Sequence, residues 1–318
     1  MISDKRVSGV NKAVFLIILY LSFLVSGCSL FTAGAKSGAK DALKPSGNNL
    51  IKRIAMTKFE NKSFIGESEF EEIFQKNLFT KFEKACAGIS LIKPEDTGNN
   101  ILSGKLPRTA SGRIDGFKIA EAGREAGMNM VITGALIDIA GVEEKRGFLL
   151  FGRSKSFARV DMIINVYDSA TGTKIYEESI KHQIEIEEHE YDALMGKTPK
   201  YVLEFKDKIT DAFPLIGKSV CGKIKQQPWQ GFVVSDEKGR LTISSGENAG
   251  LKTGMVFDAY DAGKIISGAD GQKFVMPGQK AGTVKVTAVS RDKAEAVVLT
   301  GSNINARSVL RPLHNTLF

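Results

Sequence analysis

The sequence predicts an α+β protein: an α/β sandwich with helices on a mixed sheet, followed by a small all-β, barrel-like domain. Strand and helix patterns alternate over the first two-thirds of the chain. After Pro228, short strands follow one another about 8 to 15 residues apart, separated by glycine-rich turns. The 318 residues suit about two domains, and 42% hydrophobic with 25% charged residues is usual for a globular protein.

An apolar run of thirteen residues, Ala13 to Val25, lies near the start of the chain, after three basic residues and before a few small ones. A helix needs about 20 residues to cross a bilayer, so this run is short for a membrane span. Basic residues before it and no stop-transfer charge after it favour a secretory signal over residues 1–27. The following segment is rich in Gly, Ala, Ser and Lys, which predicts a flexible tether over residues 28–49.

The α/β domain is predicted over residues 50–225. Its first strand lies in "LIKRIAMTKFEN", and the second, in "GISLIKP", is ended by Pro94. The segment between them predicts an amphipathic helix, because five large apolar residues recur at helical spacing: Phe70, Ile73, Phe74, Leu78 and Phe82.

The rest of this domain is predicted from four further patterns. Gly98–Gly112 is polar and predicts a surface loop, and "DGFKIAEAGREAG" predicts a helix with a glycine at its C-cap. "NMVITGALIDIAGV" and "SFARVDMIINVYD" predict two strands, with "KIYEESIKHQIEIEE" as a hairpin partner after the turn "SATGT". A closing helix is predicted in "YVLEFKDKITDAFPLIGKSVCGKIK", kinked at Pro214.

The barrel-like domain is predicted over residues 228–312, with residues 313–318 as a tail. Its six predicted strands lie in "GFVVSD", "RLTISSG", "GMVFDAY", "KAGTVKVTAVS", "AEAVVLT" and "ARSVLRPL". The stretch "SGENAGLKTG" lacks the Lys-Ser/Thr ending of a phosphate-binding loop and a following helix, so it predicts a turn between strands.

The sequence predicts a protein that is not an enzyme, with no cofactor. It contains no His-Glu-x-x-His, Gly-x-Ser-x-Gly or Cys-x-x-Cys motif. His182 and His189 lie among glutamates, but Ile184 and Ile186 alternate with these acids. The acidic side is therefore interpreted as a solvated strand face, with no metal site and no catalytic residue assigned. His314 falls in the predicted tail. The net charge is +8 without a block of five or six like charges, so no nucleic-acid partner is predicted.

The segment "EEKRGFLLFGRSK" joins two predicted strands, yet its centre is apolar: Phe148, Leu149, Leu150 and Phe151. Loop tips usually avoid exposing four large apolar residues together. Two interpretations stay open. The loop folds back and buries these side chains, or it contacts a neighbouring subunit or a membrane surface.

Two cysteines other than Cys28, Cys86 and Cys221, each lie near the end of a predicted helix. In an exported protein the oxidising periplasm permits them to pair. Sequence alone does not place their Cα atoms within bridging distance, so a disulfide and two buried apolar thiols remain alternatives.

The ending "LVSGC" of the apolar run resembles the lipobox of bacterial lipoproteins, with Leu24 to Gly27 before Cys28. The resemblance implies cleavage before Cys28 and attachment of fatty acyl chains, such as palmitate, to it. Two or more such chains hold a protein stably on a membrane. Ser29, where enteric relatives retained in the inner membrane have Asp, implies an outer-membrane anchor that faces the periplasm.

Three stretches, "IAMTKFEN", "AEAGREAGMNMVITGAL" and "VDMIINVYDSATGTKIYEESI", resemble the domain shared by curli-secretion lipoproteins, the N-terminal domain of Tol translocation protein B and the middle domain of flagellar assembly protein T. The stretches "GRLTISSGENAGLKTGMVFDAYDAG" and "GTVKVTAVSRDKAEAVVLTGSNINARSVLRP" resemble the C-terminal β-domain of flagellar assembly protein T. That family has a further N-terminal domain and no lipid, and the expected lipid anchor and two-domain organisation depart from its pattern in both respects.

These resemblances imply a lipid-anchored periplasmic scaffold that assembles an envelope machine, such as the flagellar basal body, as a ring of identical subunits. Two alternatives remain. One is a curli-type secretion channel. It is disfavoured because the loop between the two strands around residues 131–167 is charged on both sides, and the second candidate membrane hairpin, around "EIEEHEYDALMGK", is acidic. The other is a lipoprotein activator of a peptidoglycan synthase.

Overall fold

The computed structural model describes residues 49–66, 68–146, 153–198, 208, 213–237 and 239–313. These residues belong to one compact unit, Leu43–Phe318. Cys28, the apolar loop residues 148–151 and His314 lie outside the described residues.

A mixed sheet forms the first half of the described fold. Its strands are β1 (Lys52–Met56), β2 (Glu60–Asn61), β3 (Ile89–Ile92), β4 (Met130–Arg146), β5 (Arg153–Asp168) and β6 (Lys174–Glu185). The order across the sheet is β3-β1-β4-β5-β6, with β2 paired to β4. β1 runs parallel to β3 and β4, whereas β4, β5 and β6 form an antiparallel meander.

Helices cover both faces of this sheet. They are α1 (Ser68–Ala85), α2 (Asn100–Ser103), α3 (Gly116–Glu125), α4 (Glu188–Met195) and α5 (Phe213–Gln226). Apolar residues of α1, α4 and α5 share one core with Ile54 and Ile132. Their strand neighbours Ala55 and Val131 point to the opposite face and share a second core with α2 and α3.

The second half is a closed barrel. Eight strands follow α5: β7 (Gly231–Glu237), β8 (Arg240–Ile243), β9 (Val256–Tyr260), β10 (Ile265–Ser267), β11 (Lys273–Val275), β12 (Lys280–Val289), β13 (Ala294–Gly301) and β14 (Val309–Pro312). The barrel closes in the order β12-β13-β8-β7-β14-β9. Each of these six strands overlaps one of the six predicted strands, and four of them are shorter than predicted. The α+β class with a barrel-like domain is therefore confirmed.

The prediction was wrong in three places. The segment after Glu185 does not continue as a strand, because Glu187 and Glu190 form a capping box that starts α4. Within Gly98–Gly112, the side chain of Asn99 caps α2, and Leu102 is fully buried. The hairpin β10–β11 was not predicted at all.

Candidate functional site at the junction of sheet and barrel

Asn129 links the sheet to the barrel. It is buried between α3 and β4, and its Nδ2 donates a hydrogen bond to the carbonyl oxygen of Gln230 at 2.6 Å, just before β7. Its Oδ1 accepts from the backbone N–H of Arg53 at 3.0 Å. Its own N–H donates to the carbonyl oxygen of Arg53 at 2.7 Å. A single side chain thus connects β1, the start of β4 and the barrel.

Arg124, at the end of α3, adds a second buried link. Its Nη1 donates to the carbonyl oxygen of Ser169 at 2.8 Å and to that of Ala170 at 3.3 Å. Its own carbonyl oxygen accepts from the hydroxyl of Ser244, in the barrel, at 2.5 Å. Burial lowers the pKa of Arg124, while the negative charge of Glu121 acts in the opposite direction. The guanidinium acts as a fixed hydrogen-bond donor within the fold.

The two glycines of the Gly-Arg-x-x-Gly stretch allow this close approach. A Cβ on Gly123 would lie 2.5 Å from the hydroxyl of Ser169. Gly127 has φ +67°, and a Cβ there would overlap the carbonyl oxygen of Ser244. Only glycine combines this left-handed conformation with contact between two backbones. The stretch that resembles a family motif therefore has a structural role at the junction.

The turn between β5 and β6 forms the opposite wall. The Oδ2 of Asp168 accepts from the backbone N–H of Thr171 at 3.0 Å and from its hydroxyl at 2.7 Å. Burial raises the pKa of Asp168, and the two hydrogen bonds from Thr171 act against this effect. Gly172 completes the turn with φ +76°. The Asp-x-x-Thr-Gly stretch is thus a tight turn placed against α3 and the barrel.

The inserted hairpin β10–β11 reaches back to this turn. The N–H of Val275 donates to the carbonyl oxygen of Thr171 at 2.8 Å. Arg113, before α3, forms an exposed ion pair with Asp270 at 3.4 Å. The hairpin therefore holds the barrel against the α/β part at a point away from Asn129.

Two openings flank the junction. A cavity of about 40 Å³ is lined by Arg124, Asp168, Tyr260, Arg307 and Arg311, among others. Opposite charges line this small volume, which has room for a few water molecules rather than a substrate. An open groove of about 570 Å³ lies between the β5–β6 turn and the β10–β11 hairpin. Both openings offer surfaces for binding.

The chain enters the fold at the same junction. The N–H of Ile51 donates to the carbonyl oxygen of Ala249 at 3.0 Å, and Leu50 packs against the barrel core. Gly250, with φ +81°, allows the backbone of Asn49 to approach. The residues that follow the predicted tether are thus held by the barrel before they form β1.

Cys86 and Cys221 are joined in a disulfide, with their Cα atoms 5.3 Å apart. The bond connects the residue after α1 with the middle of α5. These helices pack closely: a Cβ on Gly217 would lie only 2.8 Å from the Cβ of Ala85, so glycine at this position permits the approach. The disulfide therefore lies on the helical layer of the sheet and takes no part in the junction.

The histidines are separated by the start of α4. His182 lies on β6, while His189 lies in the first turn of α4. Over the described ranges, no group of three His, Cys, Asp or Glu side chains is placed to hold a metal. None of the helices in those ranges is long and apolar enough to cross a membrane.

No family model and no curated protein matches the sequence. Several solved structures resemble parts of it. The hypothetical protein CT253 from Chlamydia trachomatis is 11% identical over 54% of this chain and 99% of its own, with a TM-score of 0.30. The PelC dodecamer from Paraburkholderia phytofirmans is 12% identical over 54% of this chain and 91% of its own, with a TM-score of 0.29. Lipoprotein GNA1162 from Neisseria meningitidis is 12% identical over 48% of this chain and 99% of its own, with a TM-score of 0.26.

Likenesses at these scores carry no argument about function. The fold and the junction define a protein with a mixed α/β sheet locked to a small barrel, and the functional proposal depends on the residues of this chain alone. Sequence reasoning missed Asn129, Gln230 and Ser244 as junction residues. The available signal was Asn129 itself, a polar residue at the start of an apolar strand pattern.

Proposed function

We propose that this chain is a lipid-anchored scaffold protein of the bacterial envelope. Cys28 carries the fatty acyl chains, and the segment 29–49 separates the lipid from the fold. The fold then presents the sheet and the barrel to protein partners in the periplasm. More specifically, we propose that the protein is anchored at the inner face of the outer membrane. There it takes part in the assembly of an envelope machine such as the flagellar basal body.

One observation supports this proposal above the others. The tether leads into Ile51, which is bonded to the barrel at Ala249, and the barrel is bonded to the sheet through Asn129 and Arg124. A pull on the chain at Ile51 therefore acts on both modules together. A scaffold needs this property, since partners on two modules keep a fixed mutual geometry only when the modules do not rotate.

The lipid step is tested by metabolic labelling with a palmitate analogue in a bacterial host. The full chain should take up the label and pellet with the membranes. The Cys28→Ala variant should take up none and should leave the membrane fraction. A full chain that stays unlabelled, or a variant labelled as strongly as the full chain, contradicts the anchor.

The scaffold step is tested by gently solubilising labelled membranes and separating them on a sucrose gradient. The lipidated chain should migrate with an envelope assembly larger than its own purified oligomer. The Cys28→Ala variant, expressed to the same level, should migrate at its own size. Migration of the lipidated chain at its own size contradicts scaffolding. Ion conductance of the purified chain in planar bilayers would instead select the secretion channel.

A further inference from the structure

The outer edge of the sheet at β6 carries a feature that the scaffold proposal does not use. β6 is the last strand in the order of the sheet and contains twelve residues, Lys174–Glu185. Among the described residues, its backbone pairs only with β5. The other side of β6 therefore offers a row of backbone donors and acceptors, and such an edge readily pairs with another strand.

The two faces of β6 differ in exposure. Odd-numbered residues from Glu177 to Glu185 are exposed, whereas even-numbered ones from Tyr176 to Ile184 are half-buried against the helical layer. A second copy that pairs antiparallel, about a two-fold axis perpendicular to the sheet, keeps each face on its own side. In such a dimer, each odd-numbered residue of one β6 lies opposite an odd-numbered residue of the other. Only a few registers meet this condition.

Charge and strand overlap together select one of these registers. When Ser179 lies opposite Ser179 of the second copy, Glu177 lies opposite Lys181, and the symmetric pair repeats the contact. Registers centred on Tyr176 or Gln183 also place a lysine opposite a glutamate, but each overlaps only five residues of β6, whereas the one centred on Ser179 overlaps eleven, residues 174–184. A register centred on Glu178 places two glutamates opposite each other, and one centred on Lys181 does the same for two lysines. A register centred on Ile180 places no opposite charges together. Directly opposed like charges destabilise a sheet, and opposite charges stabilise it.

The two charges differ in their contacts among the described residues of the monomer. Glu177 forms an exposed ion pair with Lys174. Lys181 lies opposite Asp161 of β5, which pairs with Arg159 at 3.3 Å. Lys181 itself forms no ion pair among the described residues, although it lies on the exposed face of the edge strand. Charged residues on an edge usually prevent pairing. Here the spacing of Glu177 and Lys181 around Ser179 favours the register centred there, which also has a long overlap, over the other registers.

We propose that β6 pairs with β6 of a second copy of this chain, antiparallel and centred on Ser179, so that one sheet continues through a two-fold dimer. Backbone hydrogen bonds supply the affinity, and the two Glu177–Lys181 contacts set the register. This dimer depends on the sheet alone and does not require the lipid anchor or an envelope partner.

Cysteine cross-linking tests the register in the lipidated full chain, purified in detergent. Directly opposite residues have Cβ atoms about 4.5 to 5.5 Å apart, which suits a disulfide after small adjustments. Mild oxidation of the Ser179→Cys variant should give a covalent dimer on a non-reducing gel. Gln183→Cys is the matched control on the same exposed face. In the proposed register, the two copies of residue 183 are offset by eight positions, about 27 Å apart at 3.4 Å per residue.

Charge reversal tests the contacts by sedimentation in the same detergent. Lys181→Glu should raise the dimer dissociation constant about tenfold, because two attractive pairs become repulsive. Adding Glu177→Lys to that variant should restore dimerisation. Lys105→Glu, an exposed reversal outside the sheet, should leave it unchanged. A monomeric wild type, equal cross-linking of both cysteine variants, or no rescue by the double reversal would each overturn the proposal.

Discussion

The Nδ2 of Asn129 donates to the carbonyl oxygen of Gln230 at 2.6 Å, across a sequence separation of 101 residues, and both groups are buried. Since Asn129 Oδ1 also accepts from the N–H of Arg53, one amide satisfies groups in β1 and in the barrel. A buried polar group that loses its partner costs the folded state more than the hydrogen bond itself contributed. The junction therefore concentrates stability in a few polar side chains.

We predict that Asn129→Ala lowers the free energy of unfolding by about 2 kcal/mol, because it leaves the Arg53 N–H and the Gln230 carbonyl without partners. Thermal unfolding followed by circular dichroism measures the effect. Asn100→Ala, at an exposed asparagine in α2, is the control and should change the free energy by less than about 0.5 kcal/mol. Equal stability of the two variants would contradict the role of Asn129.

Two glycine substitutions distinguish the effect of a clash with the barrel backbone from the effect of helix propensity. Gly127→Ala should lower the free energy of unfolding by more than about 1 kcal/mol, because a Cβ with φ +67° would overlap the Ser244 carbonyl. Gly222→Ala lies within α5 with no atom within 4 Å of the new Cβ. It should raise the free energy of unfolding by about 0.5 to 1 kcal/mol. Chemical denaturation of both variants measures the difference, and a stabilising Gly127→Ala would exclude the proposed contact.

The sequence was sufficient to predict the helices and strands in which hydrophobic residues recur with a clear period. The barrel strands alternate between turns, and the face of α1 repeats its phenylalanines at helical spacing, so both were predicted near their observed bounds. The helix α4 was missed because its start depends on two hydrogen bonds between Glu187 and Glu190, which a strand-like alternation concealed. The hairpin β10–β11 was missed because its strands have three residues each.

The junction could not be predicted, for a different reason. Asn129 and Gln230 are distant in sequence, and neither has a local pattern that shows its partner. Gly127 was noted as a helix C-cap, which is a local role, whereas its contact with Ser244 arises only when the barrel docks. Local sequence patterns were thus sufficient to predict the helices and strands. The contacts that join the sheet to the barrel depend on long-range packing.

The Cys86–Cys221 bond closes a long loop, with a sequence separation of 135 residues. Such a bond restricts the unfolded chain, and we predict that Cys86→Ala with Cys221→Ala lowers the free energy of unfolding by about 2 to 4 kcal/mol. Mass spectrometry of the unreduced protein should show the two cysteine peptides linked. Alkylation of both cysteines without prior reduction would exclude the bond, and the double variant would then lose only packing.

The two strands that flank the apolar loop residues 148–151 extend beyond the end of β6. β4 and β5 stay paired as far as Arg146 and Arg153, four pairs beyond the last residue of β6. We predict that Phe148→Asp with Phe151→Asp removes association beyond the β6 dimer without lowering the melting temperature, because two charges replace the apolar contact. Phe148→Leu with Phe151→Leu is the matched control. Unchanged sedimentation of the aspartate variant, at native stability, would dismiss the contact and favour a loop that folds back.

Asp168 should make the junction sensitive to pH. Burial raises the pKa of its carboxyl above the ordinary value of 3.8, so the folded state holds this proton more tightly than the unfolded state. Between these two pKa values the folded state binds more protons, and stability therefore falls as the pH rises through that range. Asp168→Asn keeps an oxygen that accepts from Thr171 but cannot ionise. We predict that, from pH 4 to pH 7, the melting temperature of the wild type falls relative to that of Asp168→Asn. A relative rise of the wild type over the same interval would mean that the hydrogen bonds from Thr171 outweigh burial, and that the ionised carboxylate stabilises the turn.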